Sequence, residues 1–303
     1  MAISRSQLVK ELEPGLNALF GLEYKRYENQ HAEIYTTESS DRAFEEEVML
    51  SGFGNAQVKG EGQGVSFDDA QETFTARYSH ETVALAFAIT EEAIEDNLYD
   101  RLASRYTKAL ARSMSNAKQV KAVEPLIQGL PSTDNFDSGD GVSLFNTAHP
   151  TVSGSFKNTL TTQADLNETS LEQSMIDIAQ MTDERGLRVA ARGLKMIIPS
   201  ELQFTAERLM KSQGRVGTAD NDINALVSMG MIPQGYRVNN YLTDTDAFYI
   251  LTDIPNGMKM FQRAPLTTAM EGDFDTGNVR YKARERYSFG VSDPRGIFGV
   301  EGA

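Results

Sequence analysis

No cysteine occurs among the 303 residues. That excludes disulfides, thiolate metal sites and cysteine nucleophiles, and says little about compartment. Histidine is nearly as scarce. His31, His80 and His149 fall far apart in different predicted elements, so no His-x-x-x-His or carboxylate–histidine cluster supports zinc or iron. No serine sits in a Gly-x-Ser-x-Gly elbow. Long apolar runs are missing too, and residues 1–21 mix charges among their apolar positions, so neither a signal peptide nor a membrane span is read. Positive charge is in short supply: 29 Lys and Arg stand against 43 Asp and Glu, a net −14. Such a surface repels phosphate backbones and argues against a sequence-reading nucleic-acid binder. What remains is a folding chain, 40% hydrophobic and long enough for two unequal cores.

Residues 1–50 carry a short apolar pattern at helical spacing (Leu8, Leu12, Leu16, Leu19 and Phe20), interrupted by Pro14 and followed by a polar, Glu- and Thr-rich stretch. This predicts an extended arm with one or two helical turns. Five glycines follow within 51–64: Gly52, Gly54, Gly60, Gly62 and Gly64. The Gly60–Gly64 run lacks the Lys-Ser/Thr of a Walker loop and has no apolar strand before it, so it predicts a hairpin tip and not a nucleotide loop. The ribbon spans about 51–89. It ends where Val83, Leu85, Phe87 and Ile89 alternate with Ala84, Ala86 and Ala88, the pattern of a strand packed on both sides.

Thr90 then reads as an N-cap, with Glu91 and Glu92 opposing the helix dipole. Ile94, Leu98, Leu102, Tyr106, Leu110 and Met114 follow at steps of four, flanked by Arg101, Arg105, Lys108 and Arg112. A helix is predicted to about residue 123, well beyond the usual three turns. A long hairpin feeding a long one-stripe helix does not describe a compact monomer. It describes a part of a larger assembly.

Residues 125–165 are rich in Pro and Gly and mark a boundary. Beyond it, Leu171, Met175, Ile178 and Met181 predict a helix, and Leu194, Met196 and Ile198 a strand stopped by Pro199. A helix capped by Ser200 and strands near 236–238, 247–251 and 258–261 complete an α+β unit, not a βαβ repeat. In the tail, Val279, Tyr281, Ala283, Glu285, Tyr287, Phe289 and Val291 form one face of a strand, and Arg280, Lys282, Arg284 and Arg286 the other. Four like charges in a row repel one another. Carboxylate partners are therefore expected in the same fold or on another copy, with Glu45, Glu46 and Glu47 and Glu91, Glu92, Glu95 and Asp96 as candidates.

Metal chemistry is poorly served. Asp244, Asp246 and Asp253 lack the alternating calcium-ligand pattern, and the 134–141 loop, from Asp134 to Asp140, is only a weak candidate. His149, before Pro150, reads as a satisfied packing or surface histidine. No catalytic residue, metal or cofactor is expected.

One series of short motifs is recognisable. Leu144-Phe145-Asn146-Thr147-Ala148-His149-Pro150 is followed by Asn158-Thr159-Leu160 and Leu171-Glu172. Then come Gly193-Leu194-Lys195-Met196-Ile197-Ile198-Pro199-Ser200-Glu201-Leu202 and Tyr241-Leu242-Thr243-Asp244. Over about 40–300 the chain resembles the Mu-type major head (major capsid) protein family of tailed bacteriophages, which adopts the HK97 capsid fold. The resemblance implies an N-terminal arm (1–44), an extended β-hairpin loop (45–83) and a peripheral domain with a spine helix (84–165). An axial domain (166–258) and return strands of the peripheral domain (259–303) would follow. It further implies a non-enzymatic protein that assembles with itself as pentamers and hexamers into the icosahedral shell around double-stranded DNA. A scaffolding protein during assembly, a portal at one vertex and a cement protein are the partners it suggests. The location would be the virion head, after assembly in the host cytoplasm, with no membrane involved. The acidity would keep packed DNA, contacted non-specifically, from adhering to the wall. Lys59 lies in the ribbon as a contact candidate, but no asparagine partner identifies an isopeptide crosslink. Glu45, Glu46, Glu47, Arg280, Lys282, Arg284 and Arg286 are the other inter-subunit candidates. The alternative is another phage structural component, a tail or connector ring.

Overall fold

The computed structural model describes residues 5–90, 92, 99–133, 135–214, 222–273 and 277–303, with side chains from residue 14 and, in the long helix, from 103. Of the first turns expected for that helix, Glu91, Ile94, Glu95, Asp96 and Leu98 lie outside the described residues. So do the side chains of Leu8, Leu12, Arg101 and Leu102, and Asp134.

The chain runs α1 (Arg5–Arg26), β1 (Thr36–Ser39), β2 (Phe44–Leu50), β3 (Glu72–Ser79), β4 (Glu81–Ile89), α2 (Tyr99–Gln128), β5 (His149–Thr151) and β6 (Gly154–Phe156). It continues with α3 (Glu168–Ala179), β7 (Gly193–Ile198), α4 (Gln203–Lys211), α5 (Ala225–Met229) and β8 (Tyr236–Val238). It closes with β9 (Phe248–Thr252), β10 (Met258–Gly272), β11 (Val279–Val291) and β12 (Ile297–Val300).

Where an arm with one or two helical turns was expected, α1 is a 22-residue helix running through Pro14. An interior proline costs about 3 kcal/mol. Tertiary burial offsets it: Leu16 and Phe20 pack with Leu110 and Met114 of α2 and with Tyr281 and Ala283 of β11. Burying two such side chains is worth about 1.5–3 kcal/mol each.

The 30-residue α2 would span about 45 Å. It passes Pro125 and ends at Gln128, beyond the expected end near 123. Leu110 and Met114 are buried as predicted, but Tyr106 is 50% exposed. The reason is helical pitch. A step of four overshoots a turn by about 40°, so a stripe of such steps winds off any fixed face. The buried side is drawn instead by Ala103, Thr107, Leu110, Ala111, Met114, Lys118, Ala122 and Leu126.

The first sheet has the order β1-β10-β11-β4, with β1 parallel to β10 and the other pairs antiparallel. The tail alternates as predicted: Val279, Tyr281, Ala283, Glu285 and Tyr287 are buried, and Arg280, Lys282 and Arg284 exposed. On β4, where a strand packed on both sides was expected, Ala84, Ala86 and Ala88 are exposed in the single chain, and Leu85 on the opposite face is 46% exposed.

The second sheet, β12-β9-β7-β8, divides two cores by strand alternation. Ile197, Tyr249 and Ile297 face the core shared with α2 and β11. Met196, Ile198, Phe248, Ile250 and Phe298 face the core made with α3, α4 and α5. Two unequal cores were expected, but the final strand β12 joins this second sheet and does not return to the first.

Candidate functional site

His149 is fully buried, its Nδ1 2.6 Å from Asp140 Oδ2 and its Nε2 2.9 Å from Asn158 Oδ1. Asn158 Nδ2 donates to the carbonyls of Leu144 (2.7 Å) and Pro294 (3.0 Å), tying the 144–150 segment to the C-terminal turn. Arg295 lies over the Phe156 ring at 4.2 Å and reaches Glu184 at 2.5 Å. Burial pushes the Asp140 carboxyl up, but hydrogen bonds from His149 and Ser138 outweigh it and leave the pKa below the ordinary value. Both ring nitrogens of His149 are engaged and the side chain has no solvent face. It is the packing histidine the sequence predicts, though its partners could not be read in advance.

The weak metal candidates are likewise taken up locally. Asp137 accepts from the backbone N–H groups of Gly139 (2.7 Å) and Gly141 (3.1 Å), and Asp253 from Arg192 (2.8 Å). Asp244 caps the N–H groups of Asp246 (3.3 Å) and Ala247 (3.4 Å). Among the described residues no group of three His, Cys, Asp or Glu side chains could hold a metal ion, and no helix is long and apolar enough to cross a membrane. A cavity of about 710 Å³ is lined by Met175, Gly193, Met229 and Met231 with Arg192 and Asp253, a set without an acid–base constellation.

The informative features are surfaces. The ribbon is a two-stranded hairpin, β2 with β3, whose ladder runs from Phe44↔Ser79 to Leu50↔Glu72. At His80 the chain leaves it, so β4 belongs to the first sheet and not to the ribbon. The base packs on its own body: Tyr78 Oη lies 2.5 Å from Ser292 Oγ, and Gly139, at φ 96, sits where a Cβ would lie 2.8 Å from the Thr75 carbonyl. Beyond Ser51 the hairpin has no strand ladder. Arg185 holds Asp68 and the Asp69 carbonyl, but Val58 is 99% and Phe67 97% exposed, and Phe53, Val65 and Lys59 are exposed with them. Large apolar groups on a glycine-rich tip are left uncovered by the described residues of their own chain.

Glu45, Glu46 and Glu47 sit on β2 but do not meet the basic face. Glu47 pairs with the buried Lys259 at 2.5 Å, and Glu46 approaches Arg77 at 3.8 Å. Glu45 accepts from Ser40 at 2.6 Å and approaches Arg42 at 3.9 Å. Arg280 pairs with Asp273 across the β10–β11 turn, a partner within the same fold. Lys282, Arg284 and Arg286 have no carboxylate within 4.0 Å among the described residues. The strand's buried face holds its own pair: Glu285 Oε1 lies 2.5 Å from Lys118 Nζ, with Tyr24 and Gln262 donating to the same carboxylate.

Comparison with known proteins fits these surfaces. A family model described as phage capsid protein matches residues 72–300. No curated protein sequence matches. The fold is similar to that of a virus-like particle from Pyrococcus furiosus: TM-score 0.54, 9% identity, covering 95% of this chain and 98% of that one. It is also similar to the capsid of a native GTA particle (TM-score 0.54, 14% identity, 91% of each chain). The capsid of Myoviridae phage XM1 gives a TM-score of 0.53 at 12% identity, over 89% of each chain. The mixed helix-and-sheet architecture is thus the HK97-like capsid fold.

Proposed function

The chain belongs to the phage capsid protein family, and from that premise we propose that it is the major capsid protein of a tailed phage. Copies close into pentamers and hexamers of an icosahedral shell around double-stranded DNA, and no reaction is catalysed. The observation that carries this reading is the ribbon tip: Phe53, Val58, Val65 and Phe67 are exposed on a hairpin tied to its own body at the base and by Arg185 at Asp68 and Asp69. Apolar groups held out in this way gain their burial only on a neighbour.

The short motifs at 144–150 and 193–202 support the Mu-type branch of the family. By the same likeness, 1–44 serves as N-terminal arm, 45–83 as extended loop, 84–165 and 259–303 as peripheral domain and 166–258 as axial domain. Lys59, Lys282, Arg284 and Arg286 remain contact residues between copies. The shell would stand in the virion head after assembly in the host cytoplasm, with scaffolding, portal and cement proteins as further partners.

Sedimentation of the purified chain, with trypsin added before and after assembly, tests this. Fast-sedimenting particles in which cleavage after Lys59 is suppressed are expected. A chain that stays at 33.4 kDa in all conditions, or particles cut at Lys59 as fast as free chains, would reject it.

A further inference from the structure

The solvent face of the first sheet carries a feature that only the fold reveals. The β10–β11 register slips between Gln262 and Ala264, so Arg263 is an extra residue beside the Ala264↔Arg286 pair. Such a bulge re-aims a side chain. Here it sets a second guanidinium next to Arg286. Both are half-buried, and the Nε of each is enclosed without a hydrogen-bond partner. Neither has a carboxylate within 4.0 Å among the described residues, although Glu285 adjoins Arg286 in the strand and Glu45 and Glu47 lie on β2. Those acids are engaged elsewhere: Glu285 by Lys118, Glu47 by Lys259, and Glu45 by Ser40 and Arg42. Both charges reach the imidazole of His80, which burial and then Arg286 and Arg263 hold below its ordinary pKa despite the nearby Glu45. Two adjacent, partly desolvated guanidiniums with no counter-ion are a standing cost unless an anion arrives.

The floor around them is built for close approach. Arg286 is paired with Thr82 and Ala264, Arg284 with Ala84 and Thr267, and Lys282 with Ala86 and Ala269. Paired residues share a face. The cations therefore stand above a track of small side chains, and an incoming backbone meets no bulk. This also fits the bulky/small alternation of β4: Val83 and Phe87 pack toward α2, and the alanines form the floor.

We propose that the Arg263–Arg286 pair, continued by Arg284 and Lys282, is a docking surface for carboxylates of a second copy of this chain. Charge selects the occupant. Another copy brings 43 acidic against 29 basic residues, so its surface is the complementary one. Guanidinium forks match carboxylates in bidentate geometry, which fixes register as well as adding attraction. This deepens the assembly reading and rests on it.

The test replaces Arg286 by lysine (Arg286→Lys), which keeps the charge and supplies an amine. A carbodiimide then joins that amine to a carboxylate in direct contact, forming an amide while the reagent takes up the lost water as its urea. Natural-abundance and heavy-nitrogen copies are mixed, assembled, coupled and digested. Peptides joining residue 286 to an acidic peptide of the opposite isotope are expected. Particles that form without such mixed links, or with links only inside one copy, overturn the docking surface while leaving the shell intact. Mixed links without any closed particle overturn the shell and leave the docking surface. In a second arm, Arg263→Glu/Arg286→Glu should lower the assembled fraction about tenfold, with the melting of the unassembled chain little changed. Normal particle yield with less bound nucleic acid would overturn the proposal in favour of a phosphate contact.

Discussion

The Lys118–Glu285 pair is the sharpest test of how α2 is seated on the sheet. The side chains are 10% and 2% exposed, with Nζ and Oε1 2.5 Å apart. Lys118 Nζ also lies 5.2 Å from the centre of the Tyr287 ring. Tyr24 and Gln262 complete the coordination of the carboxylate at 3.4 and 3.3 Å, so α1, α2, β10 and β11 converge on one group. Lys118→Met leaves a buried carboxylate with two neutral donors, and a half-removed buried pair costs about 3–5 kcal/mol. Glu285→Leu strands the ammonium and should cost a similar amount. The double variant Lys118→Met/Glu285→Leu removes both charges and should lie much nearer the parent, less the Tyr24 hydrogen bond at about 1 kcal/mol. Urea unfolding of the unassembled chain, followed by circular dichroism, reads all four proteins. The cycle should show coupling of about 3 kcal/mol. Additive losses, or a Lys118→Met protein within about 1 kcal/mol of the parent, would refute a desolvated pair at this junction.

Three further outcomes follow from the packing. Leu110→Ala, at a buried position facing Phe20 and Tyr281, should lose about 2–5 kcal/mol in the same unfolding assay. In Gly290→Ala the new Cβ would stand 2.6 Å from Tyr78 Cε1 at the base of the ribbon, so a loss of about 1–3 kcal/mol is expected by thermal denaturation. Burial, then the charge of Lys118, pushes the His31 pKa down to about 4, with the Gln119 hydrogen bond opposing them. The folded state therefore binds fewer protons than the unfolded one between about pH 4 and 6.5. Its contribution is complete above 6.5 and lost as pH falls toward 4, about 3 kcal/mol in all. Replacing His31 by glutamine should flatten the stability–pH profile in that window, and an unchanged slope would count against the buried neutral imidazole.

Much of this was legible because its physics is local. The alternation from Val279 to Val291 predicted a strand with a buried and a basic face, and the glycines of 51–64 predicted an exposed tip. Other features depend on partners distant in sequence. Pro14 argued against a helix until Leu16 and Phe20 found α2 and β11. The step-of-four stripe overlooked the drift that carries Tyr106 outward. The His149–Asp140–Asn158 cluster and the pairing of Glu47 with Lys259 join residues that no periodicity links. Arg263 could not be singled out at all, because the slip that places it beside Arg286 belongs to the ladder and not to either strand.

In the proposed function, this chain builds a closed shell with copies of itself. Electron microscopy of the purified protein, negatively stained after expression alone and with its neighbouring head genes, tests it most directly. Closed particles, or rings with fivefold and sixfold symmetry, are the expected result. Isolated monomers throughout, or open tubes and rings of another symmetry, would contradict it.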